Sequence, residues 1–109
     1  MAQVGGGYFS VAINAGSSGA NQLVAAVPGA KIRVIAMMLV ARGTVSARLE
    51  SGAGGTALTG VHSMVAAGGW VWPEIRNGWC QTAANTLLNL ELSTGVNVDG
   101  ILVYEEVYN

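Results

Sequence analysis

The length, composition and charge of this chain indicate one small domain that other molecules help to bury. Of its 109 residues, 51% are hydrophobic and 10% are charged, against roughly 25% charged residues in an average soluble domain. A domain of this size has too much surface for its volume to hide so much apolar material, which indicates an oligomer or a larger assembly. The formal net charge of −1, without a basic run, excludes a nucleic-acid-binding surface.

The N-terminal part of the sequence predicts an arm followed by two strands. Residues 1–7 end in three consecutive glycines, which lose much conformational entropy on ordering, so a flexible arm is expected. These residues have neither the charged region nor the apolar region of a signal peptide, so synthesis in the cytoplasm is expected. Strands are predicted over residues 8–13 and 21–27, and Pro28-Gly29 ends the second of them in a turn.

Residues 31–40 form the longest apolar run and are predicted to be the central strand. The run is much shorter than the ~18 apolar residues of a membrane-spanning helix. Because side chains alternate along a strand, both of its faces are apolar and both must be covered. The face predicted to line the core consists of Ile32, Val34, Ala36, Met38 and Val40. The face predicted to meet a neighbouring subunit consists of Ile35, Met37 and Leu39, with Arg33 at its rim.

The remaining sequence predicts further short strands joined by glycine-rich turns. Residues 44–50 alternate cleanly and place Val45, Ala47 and Leu49 inward. Leu88, Leu90 and Leu92 are likewise predicted to face inward. Other strands are predicted over residues 61–66, 79–82 and 96–108. About eight strands at roughly 8–12-residue spacing are typical of an all-β sandwich or barrel. We expect residues 1–109 to form a single antiparallel β-sandwich of about eight strands.

The sequence predicts no catalytic, cofactor-binding or metal-binding site. Glu105 and Glu106 are adjacent on a strand and point to opposite faces, so they are not expected to act as a carboxylate pair. Cys80 and His62 match no zinc-binding pattern, and one cysteine excludes an intrachain disulfide. We expect Cys80 to be a small buried hydrophobic residue and the protein not to be an enzyme.

Trp70 and Trp72 lie in the least regular part of the chain and have two possible roles. They share a parity, so both rings lie on one side of an extended segment. They could cap one end of the sandwich, or they could form a contact surface as an interface anchor or a sugar platform. In the second case Glu74 and Arg76 would belong to the same partner-binding loop and supply polar contacts.

Three blocks of the chain carry a specific sequence pattern. They are Ser17-Ser18-Gly19-Ala20-Asn21 with residues 23–29 and 31–34, then Gly55-Thr56-Ala57-Leu58-Thr59-Gly60, then Gly78-Trp79 with residues 82–85 and 88–90. Together they resemble small proteins found among the structural genes of tailed bacteriophages and prophages. The resemblance covers nearly the whole chain and departs from the pattern at residues 70–78, which suits a loop that faces a partner or solvent.

This resemblance implies a virion component located on the capsid surface. Among phage proteins of this size and composition, it implies a capsid decoration (cement) protein. Such proteins are often jelly rolls that form trimers on a shell of the major capsid protein. No cofactor, nucleic acid or membrane is expected as a partner. The alternative function is a receptor- or glycan-binding tip domain of a head or tail fibre, with Trp70 and Trp72 exposed over a groove.

Overall fold

Eleven β-strands make up the secondary structure of residues 2–4 and 7–108, which a computed structural model of the chain describes. No helix occurs among these residues, so the predicted all-β class is confirmed. In chain order the strands are β1 Ala2–Val4, β2 Tyr8–Ala15, β3 Gly19–Val24, β4 Ala30–Ala41, β5 Val45–Ser51, β6 Thr56–Ala57, β7 His62–Met64, β8 Gly69–Trp72, β9 Cys80–Gln81, β10 Leu88–Leu92 and β11 Val98–Tyr108.

The strands form two antiparallel sheets that pack face to face. The first sheet has six strands in the order β1-β2-β11-β4-β8, with β9 also paired to β4. The second sheet has five strands in the order β3-β10-β5-β6, with β7 also paired to β5. The chain passes from one sheet to the other between β2 and β3, between β3 and β4, and between β4 and β5. The core therefore lies between the sheets, and the predicted antiparallel sandwich is confirmed.

The inner face of the second sheet follows the alternation in the sequence. Val45, Ala47 and Leu49 on β5 face the core as predicted, and so do the three leucines of β10 at positions 88, 90 and 92. Leu90 lies directly opposite Leu49 across the β10–β5 pair. Period-two alternation of apolar and polar side chains therefore positions this half of the core.

Strand β4 contains a β-bulge at Ile35 that reverses the direction of its side chains. Tyr104 of β11 pairs with Val34, and Val103 pairs with Ala36, so Ile35 has no partner in this ladder. One extra residue shifts the alternation of a strand by one position. The core-facing residues of β4 are therefore Ile32, Val34, Met37, Leu39 and Ala41.

The predicted division of the central strand into two faces is therefore wrong beyond the bulge. Ile35, Met37 and Leu39, predicted to meet a neighbouring subunit, are only 0%, 2% and 1% exposed. Met38, predicted to line the core, is 42% exposed on the opposite side of the strand. Of the predicted interface residues, only Arg33 lies on the outer face.

Part of the predicted N-terminal arm is a strand. Ala2–Val4 pairs antiparallel with the start of β2, with Ala2 opposite Ser10 and Val4 opposite Tyr8. Residues 1, 5 and 6, which also belong to the predicted arm, lie outside the described residues. Strand β1 extends the first sheet beyond β2, so residues 2–4 add an edge strand to the sandwich.

Candidate functional site

Apolar side chains form a continuous row across the outer face of the first sheet. Ala12 on β2 lies opposite Ile101 on β11, Ile101 lies opposite Met38 on β4, and Met38 lies opposite Val71 on β8. Val71 is 69% exposed and Ile101 is 46% exposed. We use the term outer apolar face for this row and its apolar neighbours on the same side of the sheet, namely Ala12, Ala36, Met38, Val40, Val71, Ile101 and Val103.

An ion pair lies at each end of the outer apolar face. At one end, Arg33 Nη1 donates to Glu105 Oε1 at 3.0 Å, and Arg33 Nε donates to Gln81 Oε1 at 3.0 Å. At the other end, Arg42 Nε donates to Asp99 Oδ2 at 2.6 Å. The carboxylate paired with Arg33 therefore belongs to the same chain. Each end carries one positive and one negative charge, and the apolar residues lie between them.

The two tryptophans of β8 face inward, on the side opposite Val71. Trp70 lies opposite Leu39 and Trp72 lies opposite Met37, and both indoles pack against the core. β8 is an edge of the first sheet and β7 is an edge of the second. The two rings therefore close the open side of the sandwich between these edges, which favours the predicted capping role over an exposed sugar platform.

Four aromatic rings form a continuous ladder at this closed side. Ring centroids lie 4.1 Å apart between His62 and Trp70, 5.9 Å between Trp70 and Trp72, and 5.1 Å between Trp72 and Trp79. The last two pairs are stacked. The indole Nε1 of Trp70 is buried and has no hydrogen-bond partner among the described residues, while that of Trp79 donates to the carbonyl of Pro73 at 2.8 Å. The ladder is held by packing more than by polar contacts.

The loop between β8 and β9 is fastened to the bulge of β4. The amide of Ile75 donates to the carbonyl of Ile35 at 3.1 Å, and the amide of Trp79 donates to the carbonyl of Val34 at 2.7 Å. Gly78 has φ +81°, and a Cβ there would overlap the side chain of Arg33. The loop is therefore a fixed arch over the irregular part of the strand.

The four residues predicted to form one partner-binding loop are divided by the structure. Trp70 and Trp72 are partly buried in the aromatic ladder, whereas Glu74 and Arg76 are exposed on the arch. Ile75 lies between the two charges and is 38% exposed. The exposed part of this candidate site therefore consists of residues 74–76, and the tryptophans support it from behind.

A buried polar network on the second sheet was missed by the sequence reasoning. Glu50 is 1% exposed, yet it lies on the side of β5 opposite the core-facing Leu49. Its carboxylate accepts from Arg48 Nε at 2.7 Å and from Asn89 Nδ2 at 2.9 Å. Asn89 Oδ1 accepts the amide of Asn21 at 2.7 Å. The network links β3, β10 and β5, and alternation alone predicts only that these residues face outward.

Titratable groups of the described residues do not cluster into a metal site. No group of three or more His, Cys, Asp and Glu side chains in this part of the chain could hold a metal ion. Burial raises the pKa of the Cys80 thiol to about 11. At neutral pH this cysteine is therefore protonated and packs as a small hydrophobic residue. No helix within residues 2–4 and 7–108 is long and apolar enough to cross a membrane.

Comparison of the chain with protein-family models, with curated proteins and with solved structures finds no match.

Proposed function

We propose that this chain is a bacteriophage virion structural protein, a decoration (cement) protein that binds the capsid shell as an oligomer. The observation that carries the proposal is the outer apolar face, which lies on the central strands of a sheet and is open to solvent. Covering the exposed parts of Met38, Val40, Val71 and Ile101 would stabilise an assembly by roughly 1 kcal/mol for each side chain. A chain with so few charges gains most from such burial.

The strand order supports a jelly-roll interpretation of the sandwich. With β1 set aside, β6 counted with β7, and β9 counted with β8, eight strands remain. The first of these pairs with the eighth (β2–β11), the second with the seventh (β3–β10), the third with the sixth (β4–β8) and the fourth with the fifth (β5–β7). Nested pairs of this kind are what a long hairpin wrapped into two sheets produces, an arrangement common in viral capsid domains.

The arch between β8 and β9 is the proposed contact with the major capsid protein. Glu74, Ile75 and Arg76 are exposed there, and backbone hydrogen bonds fix the arch to β4. A fixed loop loses little conformational entropy on binding, which favours affinity. Two charges around one apolar side chain also give the contact a specific orientation.

The proposal is tested with capsids that lack this protein, assembled from the structural genes that neighbour its own. The purified protein is expected to sediment with these capsids and to raise the temperature at which they disassemble. The double substitution Glu74→Ala with Arg76→Ala is expected to weaken this binding without unfolding the protein, because both side chains are exposed. Wild-type protein that stays in the supernatant at all protein concentrations would refute the proposed function.

A further inference from the structure

We infer that a second copy of this chain covers the outer apolar face, in a twofold dimer in which the two first sheets pack against each other. This inference rests on the proposed use of the face as a docking surface, and it does not depend on which particle the protein joins. Shape and charge favour a second copy over an unrelated partner, and the area of the sheet is large enough for a dimer.

The surface shape of the outer apolar face allows it to pack against a copy of itself. Met38, at the centre of the row, lies between two shallow hollows. One is lined by Ala36, Val71, Ile101 and Val103. The other is lined by Val40, Ala66, Ala67 and Gly100 together with the Arg42–Asp99 ion pair. A twofold rotation brings the same projection and the same hollows to the opposite side, so each copy can insert its Met38 beside that of the partner. The unbranched thioether of methionine adapts well to such irregular gaps.

The charges at the ends of the face also fit a second copy. Each end carries one arginine and one carboxylate, Arg33 with Glu105 and Arg42 with Asp99. In either twofold orientation, an end of one copy therefore meets both signs of charge on the partner. The side chain of Arg42 is 69% exposed, against 26% for Arg33. Arg42 can therefore reach a carboxylate of the partner without leaving a buried position. Self-association meets no net repulsion.

The outer side of the first sheet as a whole is large enough for the interface of a stable dimer. The molecule measures 38 × 26 × 22 Å along its principal axes. Two sheets stacked about 10 Å apart, with side chains on their outer faces, account for the shortest dimension. The two longer dimensions are then those of a sheet face, which offers on the order of 800 Å² to a partner. Each side of a standard protein–protein interface buries about this area.

A face-to-face contact of this kind has a consequence for the stoichiometry. The same patch is used on both copies, so the contact closes after two chains. The solution species is therefore a dimer, in contrast to the trimer that the resemblance to decoration proteins implies. A larger assembly would have to use a different surface, such as the arch at residues 74–76.

The experiment compares matched substitutions on the two sides of the sandwich by light scattering coupled to size exclusion. Wild-type protein is expected at twice the chain mass of 11.1 kDa. Val71→Glu and Met38→Glu each place a charge in the contact and are expected to raise the dimer dissociation constant by more than about tenfold. The control is Val61→Glu, since Val61 is 61% exposed and lies beside the second sheet. It is expected to leave the dimer unchanged.

A second measurement locates the twofold axis. Facing sheets lie about 10 Å apart, so a short bismaleimide is expected to cross-link Met38→Cys protein into dimers and to leave Val61→Cys protein uncross-linked. Wild-type protein, with Cys80 as its one cysteine, is the control for background reaction.

Each outcome decides the inference. A monomeric or trimeric wild type, a dimer that survives Val71→Glu, or equal cross-linking of both cysteine variants would overturn it. Capsid binding is scored separately, so the two proposals can fail independently. A monomer that binds capsids overturns the dimer and the oligomeric part of the proposed function but leaves capsid binding, whereas a dimer that binds no capsid overturns capsid binding and leaves the dimer.

Discussion

Two adjacent methionines of β4 provide the sharpest test of the structure, because the bulge at Ile35 places them on opposite sides of the sheet. Met37 is 2% exposed and packs in the core, whereas Met38 is 42% exposed on the outer apolar face. Without the bulge these assignments would be exchanged. We therefore expect Met37→Glu to unfold the protein and Met38→Glu to leave the fold intact while dissociating the dimer.

The magnitude of the Met37→Glu effect follows from two contributions. Removing the buried methionine costs about 2 kcal/mol of hydrophobic stabilisation. An introduced carboxyl in this apolar site must stay protonated, and holding a proton at pH 7 against an ordinary glutamate pKa near 4.3 costs about 4 kcal/mol. The sum of about 6 kcal/mol is comparable to the total stability of a domain of this size, roughly 5–15 kcal/mol. Met38→Glu should change the free energy of unfolding of the monomer by less than about 1 kcal/mol, so the two variants are compared at a protein concentration low enough to dissociate the dimer.

The assay is urea unfolding followed by circular dichroism, at pH 7 and at pH 4. At pH 7 we expect Met37→Glu to lower the urea midpoint by about 3 M, enough to leave little folded protein. The folded-state pKa of the introduced carboxyl is raised, so its cost is absent below the unfolded-state pKa and grows as the pH rises above it. At pH 4 the loss should therefore shrink to about 2 kcal/mol. A Met37→Glu protein with the wild-type midpoint, or a Met38→Glu protein that is the less stable of the two, would refute the bulge.

Three further predictions concern stability and are measured by urea unfolding. Gly78→Ala should lower the free energy of unfolding by about 2–3 kcal/mol, because Gly78 has φ +81° and the side chain of Arg33 leaves no room for a Cβ. The control Gly54→Ala, at φ +65° in open space, should lower it by only about 1 kcal/mol. Glu50→Ala should lower the free energy of unfolding by about 1–3 kcal/mol, because the buried Asn89 amide loses the carboxylate that accepts from it. Arg42→Ala, in an exposed pair, should lower it by less than about 1 kcal/mol. The raised pKa of Cys80 predicts a contribution to stability that is complete below pH 9.0 and lost as the pH rises towards about 11, and Cys80→Ala should reduce the pH dependence in this range. The pKa of Tyr104, raised by burial, leaves a remainder in the variant.

The parts of the fold that alternation predicted are those where one face of a strand is polar. Val45, Ala47 and Leu49 alternate with polar residues, and their inward direction could be assigned without a structure. Strand β4 is apolar on both sides, so a shift of one residue leaves the pattern unchanged and the bulge could not be located. The positions of two arginines are consistent with the bulge. Residues on one face of a regular strand are an even number of positions apart, whereas Arg33 and Arg42 both lie on the outer face and are nine positions apart. One extra residue between them is therefore required.

The sequence predicted an apolar contact surface on the central strand but assigned the wrong residues to it, because the bulge could not be located. The central strand does contribute exposed apolar side chains to the outer face, whereas the covering of that face by another subunit stays a prediction. Which residues form that surface depends on parity, and parity depends on the bulge. Val71 and Ile101 could be added only once the strand pairing was known, because they join the face through Met38.

The bulge also joins the two proposed contact surfaces. It turns Met37 and Leu39 inward, where they face the tryptophans of β8, and it turns Met38 outward to meet Val71. The carbonyl of Ile35 is bonded by the arch between β8 and β9, so the arch holds in place the irregularity that defines the outer apolar face. Deleting the arch would therefore free a buried carbonyl and disturb dimerisation as well as capsid binding. Within the arch, substitutions of the exposed charged side chains leave those backbone hydrogen bonds in place, so they can weaken capsid binding without disturbing the dimer.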